Sequence, residues 1–289
     1  MKVKSSRQLK DLAGNIKKTR NIKSDVIIRT YMMERFLERI SLSEYKDKFI
    51  LKGGILVASM VGLELRTTRD MDVTSQDCCL SMQDIEERIK KIIAVKADDN
   101  VKFELQSIKP CMTEMEHPGV NIVLISYLDN MKTYLNIDMS MGDVITPGAV
   151  LYKYKLLLED REMFVWSYPI ETILSEKLHA VFSKGLSNSR MRDFYDIYTL
   201  TKLRRDDINI GTTALAFKAT ALHRKIKLQN IDFEDTLKNI TDDQQMQTLW
   251  SDYQKKFPYA SDITWNEAVA SVRDLCCQIG LIIEDDLSL

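Results

Sequence analysis

The chain has 289 residues, of which 45% are hydrophobic and 29% are charged, and its 41 basic and 42 acidic side chains nearly cancel. This composition is typical of a globular protein and excludes a disordered or fibrous chain, while the length suits one large domain or two modest ones. A net charge of −1 provides no overall field that attracts nucleic acid, so such binding has to rely on local basic patches.

Two stretches are rich in basic residues: the amino-terminal thirty residues and residues 184–205. A solvated helix face explains either stretch as well as a nucleic-acid patch does. The amino-terminal stretch contains no continuous apolar run, so neither a secretion signal nor a membrane anchor is predicted. The expected location is therefore the cytoplasm.

Cysteine and histidine are sparse and lack the spacing of a zinc site. The cysteines form two adjacent pairs and one single residue, none of them in a zinc-knuckle pattern, and there are three histidines. Free thiols are expected, and any bound metal is expected to have oxygen ligands.

The first half of the chain alternates between helical and strand patterns. Apolar residues recur at helical spacing from residue 5 to about 42, which predicts an amphipathic helical entry. The apolar run 49–52 precedes Gly53, Gly54 and another apolar segment, which predicts a strand, a tight glycine turn and a helix. Alternation predicts further strands at 66–75, 101–108, 119–126 and 132–140, with a helix at 81–95.

After Pro147 and Pro169 the strand patterns fade and the remaining sequence predicts helices. The change near residue 165 is the expected domain boundary, with domains at 1–165 and 166–289. The predicted fold class is therefore α+β, a mixed sheet flanked by helices and followed by a mainly helical domain. Its predicted helices span 170–183, 189–202, 211–223, 233–253 and 265–279, with a division of the fourth near Thr241.

Three aspartates are candidates for a metal site. Asp70 and Asp72 are two residues apart in a predicted strand, so their carboxylates are expected to face the same way. Asp138 lies on the polar face of a later predicted strand. Such carboxylates suit Mg²⁺, or alternatively Mn²⁺, and two metals about 4 Å apart can stabilise both oxygens of an in-line phosphoryl transfer. Because Asp-X-Asp also occurs by chance at strand ends, the glycine turn and Asp138 are what favour a metal site.

Four motifs occur in order along the chain. They are Lys52-Gly53-Gly54 with Arg66-Thr67-Thr68-Arg69-Asp70-Met71-Asp72, Leu135-Asn136-Ile137-Asp138, Ser175-Glu176-Lys177-Leu178, and Arg190-Met191-Arg192-Asp193-Phe194-Tyr195-Asp196. In this order and spacing they resemble the DNA polymerase β-like nucleotidyltransferases. Within that superfamily they resemble the AbiEii toxins of bacterial toxin-antitoxin and abortive-infection systems, over residues 26 to 200.

The resemblance implies a role for each carboxylate. Asp70 and Asp72 would bind both metals, and Asp138 would hold the metal that activates the attacking hydroxyl. The helical carboxyl-terminal domain would contribute Lys177 and Asp193 to the site.

The resemblance also implies which groups contact the nucleotide. The backbone of Gly53 and Gly54 would contact the phosphates, together with Thr68 and Arg66. Lys177 would neutralise the β- and γ-phosphates as pyrophosphate leaves. Asp193 would position Lys177 or the acceptor, while Asp196 is interpreted as a structural partner of Arg190 or Arg192.

The implied activity is Mg²⁺-dependent transfer of a nucleoside monophosphate from an NTP to an RNA acceptor, for which tRNA is a candidate. The implied role is that of a type IV toxin in phage defence, with an antitoxin encoded nearby that need not form a stable complex. Alternatives are a kinase-like enzyme, a nucleotidyltransferase acting on a small molecule or protein, and a non-catalytic binder of a nucleotide or antitoxin. Three convergent carboxylates argue against the pure binder.

Overall fold

The structure, a computed structural model, describes residues 2–77, 80–111, 119–225, 228 and 231–282. The chain divides into two compact units. Unit 1 comprises Met1–Asp143 and Ala149–Ser167, and unit 2 comprises Val144–Gly148 and Tyr168–Leu289. Unit 1 contains a sheet with helices and unit 2 is helical, which confirms the α+β prediction.

Among the described residues, the strands of unit 1 form one mixed sheet. They are β1 (Phe49–Lys52), β2 (Met71–Ser75), β3 (Val101–Cys111), β4 (Gly119–Leu128), β5 (Met131–Met141), β6 (Val150–Lys155) and β7 (Glu162–Ser167). Their order across the sheet is β3-β4-β5-β2-β1-β7-β6. β2 pairs with β5 in parallel, as β1 does with β7, and the other neighbours are antiparallel.

Two of the described helices of unit 1, the first and the fourth, begin at side-chain caps. Ser5 caps the first helix by accepting from the Gln8 N–H, and Ser81 forms a capping box with Asp84. The helices are α1 (Ser6–Arg20), α2 (Ser24–Leu42), α3 (Gly53–Val61) and α4 (Met82–Ala94). α2 packs against β5, β7 and α4, while α4 packs against β3, so that the apolar face of the sheet is covered.

The central helix α2 also buries charged groups. Arg35 is 1% exposed and donates to Glu159 at 2.9 Å. Glu34 accepts a hydrogen bond from the Leu157 N–H at 2.9 Å and one from the Tyr154 hydroxyl at 3.4 Å. Burial raises the pKa of Glu34 from 4.5 to about 8. At neutral pH this carboxyl group is therefore mostly protonated in the folded chain.

The substitution Glu34→Gln is expected to stabilise the protein at pH 8 much more than at pH 5. Between about pH 4.5 and pH 8 the unfolded chain loses a proton that folded Glu34 retains, so the free energy of unfolding of the wild type falls as the pH rises. A shift of this size corresponds to a change of about 5 kcal/mol. Glutamine still accepts from the Leu157 N–H but does not titrate. Urea unfolding at both pH values measures the effect, and an equal difference at the two would contradict it.

The helices of unit 2 pack around an aromatic core. They are α5 (Ile170–Lys184), α6 (Met191–Leu203), α7 (Ile210–His223), α8 (Phe233–Asp242), α9 (Gln244–Lys256) and α10 (Trp265–Gln278). α5 packs against α6 and α7, and α6 packs against α10. The rings of Phe194 and Trp265 lie 4.9 Å apart between α6 and α10. Within the described ranges no helix has the length and apolar character needed to cross a membrane.

Three local expectations are wrong. Strands β6 and β7 lie where the strand patterns were expected to fade. β6 is an edge strand with exposed Val150 and Leu151, so its apolar residues do not mark one buried face. The predicted strand 66–75 begins only at Met71, because the residues before it form a tight turn. Gly53 and Gly54 do not form a separate turn but begin α3 directly.

Candidate active site

Four neighbouring strands bring polar side chains into one row across the sheet. Lys52 of β1 pairs with Asp72 of β2, Asp72 pairs with Asp138 of β5, and Asp138 pairs with Asn121 of β4. Register partners on adjacent strands lie about 5 Å apart and point to the same face. The sheet therefore sets Asp72 and Asp138 side by side, as expected for carboxylates that act together.

Asp70 joins this pair from the turn before β2. It lies two residues before Asp72, outside the strand in which it was predicted. The side-chain amide of Asn136 donates to Asp70 Oδ1 at 3.2 Å, and Asn136 lies two residues before Asp138 on β5. The three predicted metal-binding carboxylates thus lie on β2, on β5 and in the turn just before β2.

Two asparagines fix the orientation of these carboxylates. The amide of Asn121 donates to Asp138 Oδ1 at 2.7 Å, just as Asn136 holds Asp70. Neither asparagine was among the predicted site residues. Asn136 could have been found from its place on the polar face of β5. Asn121 could not, because its proximity to Asp138 depends on the register between β4 and β5.

The glycine pair brings a helix terminus against Asp72. Gly53 has a φ of +65°, and a Cβ atom there would lie only 2.0 Å from Asp72 Oδ2. The Gly54 N–H donates to the same oxygen at 3.2 Å. The first N–H groups of a helix have no partner within the helix and commonly bind phosphate. The amino terminus of α3 is therefore suited to an anion next to the carboxylates.

The electrostatics of the row favour a bound cation. Burial raises the pKa of Asp72; the Gly54 N–H and Lys52 oppose this effect, and the negative charge of Asp138 adds to it. Lys52 Nζ lies 2.5 Å from Asp143 Oδ2. A carboxylate that is both desolvated and close to a second carboxylate is stabilised by positive charge placed between them.

Arg66 and Thr68, both predicted to contact the nucleotide, are buried in the turn before β2. Arg66 is 2% exposed and donates to the Thr67 carbonyl at 2.5 Å. The Thr68 hydroxyl donates to the Asp70 carbonyl at 3.1 Å, and a Cβ atom on Gly54 would lie 2.6 Å from that hydroxyl. Both side chains shape the turn that carries Asp70, and their contact with phosphate stays a prediction.

Among the described residues, no group of three or more His, Cys, Asp or Glu side chains is arranged as a ready-made metal site. One oxygen of each of Asp70, Asp72 and Asp138 instead accepts a hydrogen bond from an asparagine amide or a backbone N–H. The donor set still fits a hard divalent cation, since it consists of two carboxylates on adjoining strands and a third from the turn before β2.

Lys177 and Asp193, the predicted site residues of unit 2, are brought together there with Asp196. Lys177 Nζ lies 2.6 Å from Asp196 Oδ2 and 3.2 Å from Asp193 Oδ1. Both aspartate side chains are at most 2% exposed. Arg190 pairs with Asp193 at 3.1 Å. Asp196 on α6 thus pairs with Lys177 on α5, and its expected pairing with Arg190 or Arg192 stays a prediction.

The chain matches the family model described as "Nucleotidyl transferase AbiEii toxin, Type IV TA system" over residues 35–271. This match covers well over half of the sequence. The chain belongs to the AbiEii toxin family. The resemblance carried by the four motifs is thereby confirmed, and the AbiEii chain is an enzyme of the nucleotidyltransferase class.

Several solved structures align with most of this AbiEii chain but share little of its sequence. JHP933 from Helicobacter pylori is 16% identical with a TM-score of 0.49, and the alignment covers 90% of this chain and 92% of that one. A proposed nucleotidyltransferase from H. pylori is 14% identical with a TM-score of 0.48, covering 90% and 95%. An antigenic nucleotidyltransferase-like protein from Paracoccidioides brasiliensis is 14% identical with a TM-score of 0.34, covering 93% and 94%. These likenesses assign no residue role. No curated protein sequence matches significantly.

Proposed function

We propose that this AbiEii enzyme transfers a nucleoside monophosphate from an NTP to an RNA acceptor, with tRNA as the first candidate. Asp70, Asp72 and Asp138 would hold Mg²⁺, or alternatively Mn²⁺. The observation that carries the proposal is the in-register pairing of Asp72 with Asp138 beside the amino terminus of α3.

The residues of unit 1 divide the work between phosphate and metal. Divalent cations bound to the carboxylates would neutralise phosphate charge and favour deprotonation of the attacking hydroxyl. The N–H groups of Gly53 and Gly54 would bind phosphate oxygens at the start of α3. Asn121 and Asn136 would keep Asp138 and Asp70 in a fixed orientation, so that the carboxylates need little reorganisation during reaction.

Lys177 is proposed to neutralise the charge of the triphosphate as pyrophosphate leaves. A lysine ammonium is a compact point charge that suits phosphate. Asp193 and Asp196 are proposed to position this ammonium, since both carboxylates contact it in unit 2. Asp196 is the closer of the two and is proposed as the main positioning acid.

The family also implies an antitoxin partner and an NTP substrate. We propose that the antitoxin is encoded beside this chain and that a stable complex between the two proteins is not required. The proposed setting is the cytoplasm, in defence against phage, where both NTP and RNA are abundant.

The test of the proposed function is a labelling reaction. Purified protein is incubated with Mg²⁺, total bacterial RNA and each α-³²P-labelled NTP in turn, with EDTA replacing Mg²⁺ as the control. Label on a discrete RNA band is expected with one NTP, and chelation is expected to abolish it. A parallel reaction with γ-³²P-labelled NTP separates the alternatives: label from the γ position indicates a kinase, and α-label on protein or a small molecule would refute the RNA acceptor.

A further inference from the structure

Strands β3, β4 and β5 form an antiparallel meander with one covered face and one open face. The covered face carries the buried side chains of Leu135, Ile137 and Met139 of β5, and α2 and α4 pack against the meander. Side chains on the opposite face alternate with these and reach solvent, except for the buried Ile125 of β4. We call this second surface the open face; its exposed lysines are Lys102, Lys109 and Lys132, and its tyrosines are the exposed Tyr134 and the half-buried Tyr127.

The open face is continuous with the row of polar side chains that contains Asp72 and Asp138. Its side chains form rows across the three strands, and the first of these rows ends at Asp138. In order away from Asp138 the rows are Lys109–Asn121–Asp138, Ser107–Val123–Asn136, Glu104–Ile125–Tyr134 and Lys102–Tyr127–Lys132. Four residues separate Asp138 from Tyr134, about 13 Å along the strand. At about 3.4 Å per nucleotide, that length accommodates about four stacked nucleotides.

Two tyrosines offer ring surfaces on this face. Tyr134 is 45% exposed, and Lys132 Nζ lies 4.8 Å from its ring centroid. The hydroxyl of Tyr127 donates to Glu104 at 2.9 Å, which fixes the position of that ring. Exposed aromatic rings beside cations are the pattern on which unpaired bases stack, and such stacking tolerates any base. A duplex keeps its base faces covered and offers no partner for these rings.

The charge of the open face matches a polyanion. Its four rows hold three lysines against a single glutamate before Asp138 is reached, on a chain whose overall net charge is −1. The three lysines are exposed, so their ammonium groups are available to phosphates. Because the net charge of the chain is near zero, nucleic-acid binding requires a local patch of positive charge. The open face provides such a patch.

We propose that the open face binds single-stranded RNA and leads its terminal hydroxyl to Asp138. Bases would stack on Tyr134 and Tyr127, and phosphates would pair with Lys102, Lys109 and Lys132. This assignment rests on the proposed function and deepens it: the acceptor is an RNA with an unpaired end, and the site for that end lies on β3, β4 and β5.

The proposal is tested by fluorescence anisotropy of the full chain with a short, labelled single-stranded RNA of mixed sequence. Tyr134→Ala is expected to weaken binding about tenfold, whereas Tyr134→Phe, which keeps the ring, retains wild-type affinity. Lys132→Ala is expected to lower the slope of log affinity against log salt by about 0.7. Lys153→Ala is the matched control, because Lys153 is an exposed lysine near the other edge of the sheet, paired with Glu162.

The assay requires no turnover, so its result is separable from that of the labelling reaction. Wild-type protein that does not bind the single strand, Tyr134→Ala protein that binds as tightly as the wild type, or equal affinity for duplex RNA would each overturn the proposal. If RNA is labelled but Tyr134→Ala does not weaken RNA binding, the proposed function stands and the open face is not the RNA-binding site. If RNA binding depends on Tyr134 and Lys132 but no RNA is labelled, the result supports the open face as an RNA-binding site and counts against nucleotidyl transfer.

Discussion

Asp72→Asn is expected to lower the rate of nucleotidyl transfer at least about a thousandfold, a barrier increase of roughly 4 kcal/mol, while the protein stays folded. Asp72 lies between Lys52 and Asp138 in the sheet and accepts from the Gly54 N–H, so it adjoins both the neighbouring carboxylate and the amino terminus of α3. Asparagine has the same shape but lacks the charge that a divalent cation requires. Because burial raises the pKa of Asp72, a neutral side chain there does not destabilise the fold.

The rate is measured as initial label incorporation, with thermal unfolding as the check on folding. Asp77→Asn is the matched control, since Asp77 lies just after β2 and pairs with Arg88 away from the carboxylate row. Its rate is expected to remain within about twofold of the wild type, as for a surface ion pair. Wild-type turnover by Asp72→Asn protein would exclude Asp72 as a metal ligand.

Asp196→Ala is expected to lower the free energy of unfolding by about 3 kcal/mol. The substitution removes the nearest partner of Lys177, whose side chain is only 12% exposed, and leaves its ammonium poorly compensated. Asp193 remains at 3.2 Å and offsets part of the loss. If Asp196 also positions the ammonium for catalysis, the KM for NTP rises in the same variant.

Chemical denaturation and steady-state kinetics measure these two effects separately. Asp252→Ala serves as the control, because Asp252 forms an exposed pair with Lys255 on α9 and its loss is expected to cost less than about 1 kcal/mol. The double variant Lys177→Met with Asp196→Leu removes both charges and is expected to recover much of the stability but none of the activity. Equal stability of the Asp196→Ala and Asp252→Ala proteins would contradict the buried pairing.

Local periodicity correctly predicted the features that depend only on residues close together in the sequence. The alternation 132–140 correctly set Asp138 on the polar face of β5, opposite buried Ile137 and Met139, because side-chain direction in a strand follows from position alone. The helices of unit 2 were predicted within a few residues for the same reason, including the division near Thr241.

Contacts between distant segments could not be predicted in this way. Asn121 reaches Asp138 only through the register of two strands, and Asp196 reaches Lys177 only through the packing of α6 against α5. β6 was missed because an edge strand with exposed apolar residues has no clear two-residue period. Sequence motifs gave the residue types of the site, whereas pairing partners required three dimensions.

The parallel pairing of β2 with β5 has a consequence for when the candidate site assembles during synthesis of the chain. The side chains of Asp70 and Asn136 touch although 66 residues separate them in sequence, with a helix and two strands between. Contacts this far apart form late, since a long loop has to close first. During synthesis Asp70 and Asp72 leave the ribosome well before β5, which lies about 60 residues later in the sequence. A chain that ends before β5 contains Asp70 and Asp72 but lacks Asp138, so the proposed metal site can form only after β5 has paired with β2.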